Sequence, residues 1–153
     1  MTSDLAPPDE AFVWSWLPGA TEPVVAGRIA RSGPIYPFNY GQSYQRLKGA
    51  IPIFLPELPL RPGVITPEPP LTLAGSLRDG APDAWGRRVI TNRLTGLKGD
   101  AARDVDFDEL TFMLNSGSDR AGALDFQASA TEYRPREEAD ATLQDLLEAA
   151  GRV

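Results

Sequence analysis

The amino-acid sequence predicts an α+β fold, in which a small antiparallel or mixed β-sheet with an N-terminal hairpin packs with three helices. Two observations support this class. Segments rich in aromatic and β-branched residues fill the first part of the chain, and helical periodicity dominates after residue 80. Strands that precede helices, followed by one late strand, are typical of α+β folds rather than doubly wound α/β folds.

The predicted sheet begins with strands at residues 12–17 and 24–30, which flank a Pro-Gly turn and therefore form a hairpin. A third short strand is expected at residues 35–40, and Tyr44 is expected to begin a fourth extended piece. A late strand is expected at residues 121–128. In that strand, Asp125 should face opposite to Phe126, because side chains alternate along a strand.

A proline-rich stretch at residues 52–70 follows the early strands. Phe54, Leu55 and Leu58 interleave with its prolines, and disordered linkers are poorer in such residues. We therefore expect an ordered, extended segment that lies over the sheet. A plain linker is the alternative.

Three helices are predicted, at residues 82–94, 106–114 and 142–150. Apolar residues recur at helical spacing in the first helix and along one face of the third. The second begins with Asp106 followed by Glu109, which is the spacing of a capping box.

The patterns divide the chain into three parts. Residues 1–11 have no apolar periodicity and are expected to be a disordered lead. Residues 12–98 hold the hairpin, the proline-rich crossing and the first helix, and residues 99–153 continue as helix, strand and helix. The N-terminus is polar and acidic, which predicts a cytoplasmic location. No apolar run approaches the roughly 20 residues that span a bilayer, so no membrane partner is expected.

The composition excludes several kinds of chemistry. The sequence has neither cysteine nor histidine, so it offers no thiol nucleophile, no histidine metal ligand and no Ser-His-Asp triad. The net charge of −6 argues against direct binding of nucleic acid. The charge is uneven, however. Residues 76–98 carry five bases and two acids, whereas residues 99–153 carry thirteen acids and five bases.

The basic segment contains a charged cluster around the start of the first predicted helix: Arg78, Asp79, Asp83, Arg87 and Arg88. The favoured interpretation is a network that fixes the turn and caps the helix. Within it, Asp83 and Arg87 stand four residues apart in the favourable acid-first order and are expected to pair. The functional alternative is a docking surface for another domain or a partner chain.

Three further residues complete the candidate interaction surface. The helical spacing of Trp85 favours a core position, whereas an exposed Trp85 would act as a binding anchor. Asp119 and Arg120 are expected to form a structural ion pair that fixes a tight turn before the late strand.

Two motifs resemble those of the HipA family of toxin kinases. Residues 77–90 read L-R-D-G-A-P-D-A-W-G-R-R-V-I and match the family's L-x-D-x-x-P-D-x-W-G-R helix start. Residues 117–126 read G-S-D-R-A-G-A-L-D-F and match its D-R-x-G-A-L-x-F strand. The motifs occur in the family's order, and the resemblance covers residues 12–153, with residues 12–98 similar to its N-terminal subdomain 1.

The resemblance implies the non-catalytic N-terminal region of a kinase from a bacterial type II toxin–antitoxin system. Full-length relatives are serine/threonine kinases that pair with a DNA-binding, HipB-like antitoxin. ATP and magnesium bind in their kinase core, which would follow the region represented here. The resemblance therefore implies a chain without catalytic residues, cofactor or metal, whose partner is a HipA-type kinase core in cis or in trans.

The residues themselves lead to the same expectation. No GxGxxG or GxxxxGK[ST] loop occurs, and neither Lys48 nor Lys98 stands in a phosphate-binding context. Two functions stay open. One is a regulatory or scaffold region of a HipA-like kinase, and the other is an independently encoded, antitoxin-like module that inhibits a separate kinase. A hydrolase with paired carboxylates has no supporting constellation.

Overall fold

The computed structural model describes residues 8–96, 107–118 and 123–136. The chain divides into two units. The sheet unit comprises described residues 9–80 and 123–134, and the helical unit comprises residues 81–96, 107–118 and 135–136 with residue 8. The predicted boundary between residues 98 and 99, the third predicted helix and most of the predicted disordered lead lie outside the described residues.

The sheet unit contains four strands: β1 (Glu10–Ser15), β2 (Val24–Ala30), β3 (Phe38–Tyr40) and β4 (Leu124–Gln127). They form an antiparallel sheet in the order β3-β2-β1-β4. β1 and β2 form the predicted hairpin, in which Val13 lies opposite Gly27. The late strand β4 returns to pair with β1, and it places Phe126 opposite Val13.

Four helices accompany the strands among the described residues: α1 (Gln42–Arg46), α2 (Gly75–Arg78), α3 (Ala84–Thr95) and α4 (Glu109–Asn115). The first two belong to the sheet unit and the last two to the helical unit. The predicted α+β class is confirmed. None of the described helices is long and apolar enough to cross a membrane.

The core of the sheet unit forms where alternate strand residues meet the segments that cross the sheet. Val13, Ile29 and Phe126 are fully buried and share one face of the sheet, because side chains alternate along each strand. Leu73, which precedes α2, and Leu77, which lies in α2, are fully buried as well. Burial of such side chains supplies most of the driving force for folding.

The expectation of an extended piece at Tyr44 is wrong, because Tyr44 lies in helix α1. Its ring is buried and stacks on that of Tyr40, with 5.8 Å between the ring centroids and 8° between the planes. The Tyr44 hydroxyl donates to the carbonyl of Ile51 at 2.6 Å. These tertiary contacts override the strand propensity of tyrosine.

The predicted order of the proline-rich stretch is confirmed, but the stretch is not extended throughout, because it turns between Phe54 and Leu58 before it pairs with β3 at Ile65. Phe38 and Ile65 exchange two backbone hydrogen bonds, at 3.0 and 2.7 Å. The amide of Tyr36 donates to the carbonyl of Thr72 at 2.7 Å. The stretch therefore covers the edge strand β3, whose backbone would otherwise be open to pairing with another chain.

Helix α2 is capped by Glu57, which lies 18 residues before it. Glu57 Oε2 accepts from the Gly75 amide at 2.6 Å, and Oε1 accepts from the Ser76 amide and hydroxyl at 2.8 Å each. Burial raises the pKa of Glu57, but these hydrogen bonds lower it more strongly, so the pKa lies below its ordinary value of 4.5. The carboxylate thus replaces the side-chain cap that Ala74, the residue before the helix, does not supply.

We expect Glu57→Gln to reduce the free energy of unfolding by about 1 kcal/mol at pH 7, because the neutral amide forms weaker hydrogen bonds than the carboxylate and solvent access keeps the effect modest. Since the folded-state pKa is lowered, the carboxylate's contribution is present above the unfolded-state pKa. It is lost as the pH falls through the folded-state pKa. Urea titrations from pH 7 to pH 3 should show that the difference in free energy of unfolding between the wild-type chain and Glu57→Gln decreases below about pH 4.5. Exposed Glu68 provides the control Glu68→Gln, and a difference that is constant with pH would contradict the prediction.

Candidate functional site

The predicted charged cluster is divided between the two units. Arg78 and Asp79 belong to the sheet unit, whereas Asp83, Trp85, Arg87 and Arg88 belong to the helical unit. Asp119 and Arg120, with the tight turn predicted for them, lie outside the described residues.

The two members in the sheet unit lie at the end of α2, and both are exposed. Arg78 Nη2 donates to Thr72 Oγ1 at 3.3 Å. The amide of Asp79 donates to the carbonyl of Gly75 at 2.9 Å, which closes the last turn of the helix. These residues therefore present charge to solvent on a helix that is fixed at both ends.

The start of α3 in the helical unit follows the predicted capping pattern. Asp83 is the N-cap residue in extended conformation, and its Oδ1 accepts from the Gly86 amide at 2.9 Å. A β-carbon on Gly86 would lie 2.9 Å from the β-carbon of Pro82. The P-D-x-W-G-R motif thus combines a proline at the turn, an aspartate cap and a glycine that permits close packing on that proline.

Arg87 joins α3 to α4. Its Nη2 donates to both carboxylate oxygens of Glu109, at 3.0 and 2.9 Å, and its Nε donates to the carbonyl of Pro82 at 3.3 Å. The guanidinium also lies over the ring of Phe112, 4.6 Å from its centroid. The predicted pairing of Arg87 with Asp83 is therefore wrong. The Asp83 carboxylate caps the helix, and Arg87 instead bonds to an acid 22 residues away.

Trp85, in the first turn of α3, is exposed, with 36% of its surface accessible. The core position favoured by its helical spacing is wrong. The buried apolar residues of α3 begin at Val89 and Ile90, one turn further along, so the first turn extends beyond the covered part of the helix. Arg88, in the same turn, is half-buried.

Several residues that hold the helical unit together had not been recognised in the sequence. Asp108, rather than the predicted Asp106, caps α4 by accepting from the Thr111 amide at 2.9 Å. Arg93 Nη2 donates to the carbonyl of Asn115 at 2.8 Å, and Arg136 Nε donates to that of Ser116 at 2.8 Å. The D-F-D-E order around residue 108 offers two aspartates as caps, whereas the arginine contacts leave no local signal.

The described residues contain no group of three or more acidic side chains placed to hold a metal ion. A cavity of about 340 Å³ lies in the sheet unit, lined chiefly by the proline-rich stretch and by Tyr36 and Phe38. Glu57 also lines it, but its carboxylate is engaged in capping α2. The helix start at α3 remains the place where charged and aromatic groups are fixed and presented together.

Comparison with known proteins gives one match. The family model of the HipA N-terminal domain matches residues 20–127, which is more than two thirds of the 153 residues. No curated protein matches the chain, and no solved structure does. The matched range contains the P-D-x-W-G-R helix start and the strand β4. The chain therefore belongs to the HipA N-terminal domain family.

Proposed function

We propose that this chain is a non-catalytic regulatory or scaffold region of a HipA-like toxin kinase, and that it docks on the kinase core through the start of α3. The exposure of Trp85 on that helix start carries the proposal. Exposed tryptophans are frequent anchors of protein interfaces. Membership of the HipA N-terminal domain family supports a HipA-type kinase core as the partner.

The surroundings of Trp85 suit an anchor. The Asp83 cap fixes the backbone on one side of it, and the bidentate contact of Arg87 with Glu109 fixes the helix on the other. A side chain on a rigid backbone loses less conformational entropy when it binds than one on a loose loop. The helix start therefore offers a preorganised contact rather than one that forms only on binding.

The wider role follows from the family. In this proposal the kinase core binds ATP and magnesium, the complex belongs to a toxin–antitoxin system in the cytoplasm, and a HipB-like, DNA-binding protein is a further partner. The chain has no histidine, no cysteine and no phosphate-binding loop, which supports a role without catalysis of its own. Its negative net charge supports contact with DNA through that partner rather than directly.

We expect Trp85→Ala to weaken binding to a HipA-type kinase core, expressed as a separate chain, by at least about tenfold, because the variant loses the interface anchor. Isothermal titration calorimetry measures the affinity. Leu71→Ala is the control, because Leu71 is equally exposed at 36% but lies in the sheet unit. An unchanged affinity of the Trp85 variant would contradict the proposed surface.

The same preparation tests the absence of catalysis. Incubated alone with radiolabelled ATP and magnesium, the chain should transfer no phosphate to itself or to a protein substrate, and transfer would refute the proposal. Inhibition of the separate core by the free chain, lost in Trp85→Ala, would favour the alternative of an antitoxin-like module that acts in trans.

A further inference from the structure

A second surface of interest lies in the sheet unit, on the segment that follows α1 and runs into the start of the proline-rich stretch. Within nine consecutive residues, four large apolar side chains are exposed, and we call them the 47–55 patch. They are Leu47, Ile51, Phe54 and Leu55, with exposed fractions of 39, 43, 49 and 66%. Exposed apolar residues grouped in this way mark interaction sites more often than isolated ones do.

The backbone that carries the 47–55 patch is held by two buried tyrosines. The Tyr44 hydroxyl donates to the carbonyl of Ile51 and accepts from the amide of the same residue, at 2.6 and 3.3 Å. The Tyr40 hydroxyl donates to the carbonyl of Leu58 at 2.5 Å and accepts from the Ile53 amide at 2.8 Å. Burial raises the pKa of both phenols above 10.0, so both remain protonated donors at neutral pH.

These bonds make the patch a fixed surface. Each phenol satisfies one carbonyl and one amide of a segment that belongs to no strand or helix, and the two rings support each other by stacking. Such a segment needs little ordering when a partner binds, which favours affinity. The segment therefore combines two features of a docking site, exposed apolar area and a preorganised backbone.

The charges near the patch in the sequence indicate the charge that a partner should carry. Residues 41–64 contain three bases, Arg46, Lys48 and Arg61, and a single acid, Glu57. The carboxylate of Glu57 bonds to the start of α2. Arg46 and Lys48 are exposed on either side of Leu47. On a chain whose net charge is −6, this region is therefore apolar with a basic rim.

We propose that the 47–55 patch binds an acidic amphipathic helix of a partner protein. Apolar side chains at helical spacing would cover Ile51, Phe54 and Leu55, and carboxylates of the same helix would face Arg46 and Lys48. An anionic membrane is disfavoured, because surface recruitment to lipid takes about four to eight clustered bases and residues 41–64 contain three. The proposal does not depend on the docking of α3, since all of these residues belong to the sheet unit.

The probe is a fluorescein-labelled synthetic helix of 18 residues with leucine at i, i+3 and i+4 spacing and glutamate elsewhere. A second peptide replaces each glutamate with lysine. Fluorescence anisotropy should show binding of the acidic peptide at least about tenfold tighter than that of the basic one, because charge complementarity discriminates between them. Leu55→Ser should weaken binding of the acidic peptide by at least about fivefold. The double variant R46E/K48E should bind the basic peptide more tightly than the acidic one.

Leu71→Ser is the control, because it removes an exposed apolar side chain of the same unit outside the patch. Equal binding of the two peptides, or an effect of Leu71→Ser as large as that of Leu55→Ser, would overturn the proposal. Stronger binding to phosphatidylglycerol vesicles than to the acidic peptide would also overturn it in favour of a membrane. None of these results bears on the contact of Trp85 with a kinase core, which is measured separately.

Discussion

Gly27→Ala is expected to lower the free energy of unfolding by about 3 kcal/mol or more. Gly27 lies in β2, between Val13 of β1 and Tyr40 of β3. A β-carbon at this position would lie within 3.0 Å of the Asn39 carbonyl oxygen and of the Phe38 ring. The oxygen is part of the neighbouring strand and the ring is buried, so neither moves without opening the sheet. Overpacking of this kind costs about 3 kcal/mol or more, which is a large part of the stability of a small domain.

Gly41→Ala is the matched control, because a β-carbon there meets only the Ala26 carbonyl oxygen, at 3.9 Å. Its φ of −70° is one that alanine adopts readily. We expect a change in the free energy of unfolding of less than about 1 kcal/mol for this variant. Thermal unfolding followed by circular dichroism compares the two. A melting temperature of Gly27→Ala equal to that of Gly41→Ala would show that the sheet accommodates the extra carbon.

The parts of the fold that the sequence predicted well are those specified by neighbouring residues. The hairpin of β1 and β2, the start of α3 at Asp83 and the late strand β4 all follow from local patterns. Helices α1 and α2 were missed because distant residues specify them. Tyr44 is held in α1 by its bonds to Ile51, and α2 begins where the Glu57 carboxylate meets its amides. A five-residue and a four-residue helix carry too little periodicity to be seen alone.

The features of the candidate site could likewise be predicted where neighbouring residues specify them, and could not where distant residues do. The aspartate cap of α3 was recognisable because Asp83 and the amide that it binds are three residues apart. The partner of Arg87 was not, because Glu109 lies 22 residues away and local spacing offered Asp83 instead. Helical spacing places Trp85 on the face of Val89, but it does not tell which turns of that face a second element covers. The exposure of Trp85 therefore needed the tertiary structure.

Strand β4 shows a limit of alternation as a guide to burial. Because side chains alternate along a strand, those of Asp125 and Phe126 point to opposite faces of the sheet, and in such a pair the polar residue is usually exposed. Both are fully buried. Asp125 lies opposite Trp14 on β1, and the indole of Trp14 donates to the carbonyl of Ser129 at 2.9 Å. The segment after β4 thus covers the second face of the sheet, and the carboxylate is part of that layer.

We expect Asp125→Ala to lower the free energy of unfolding by about 3 kcal/mol, because it removes a fully buried carboxylate that accepts three hydrogen bonds. Asp125 Oδ1 accepts from the Phe126 amide at 2.8 Å, and Oδ2 accepts from Gln127 Nε2 at 3.0 Å and from the Tyr133 hydroxyl at 2.8 Å. The Tyr133 ring packs against Trp14 and Trp16, at centroid distances of 5.4 and 5.5 Å. Loss of the carboxylate should therefore release Tyr133 and the segment around it from the sheet.

Tyr133→Phe separates the bond from the packing, since it keeps the ring between the two tryptophans and removes only the hydroxyl. Its expected cost is about 1 kcal/mol. Urea unfolding gives both free energies, and near-ultraviolet circular dichroism reports the tryptophan environment. Asp125→Ala should lose much of the aromatic signal, whereas Tyr133→Phe should keep most of it. If the two variants were equally stable and kept the same signal, the buried carboxylate would not hold this layer, and aromatic packing alone would attach the segment to the sheet.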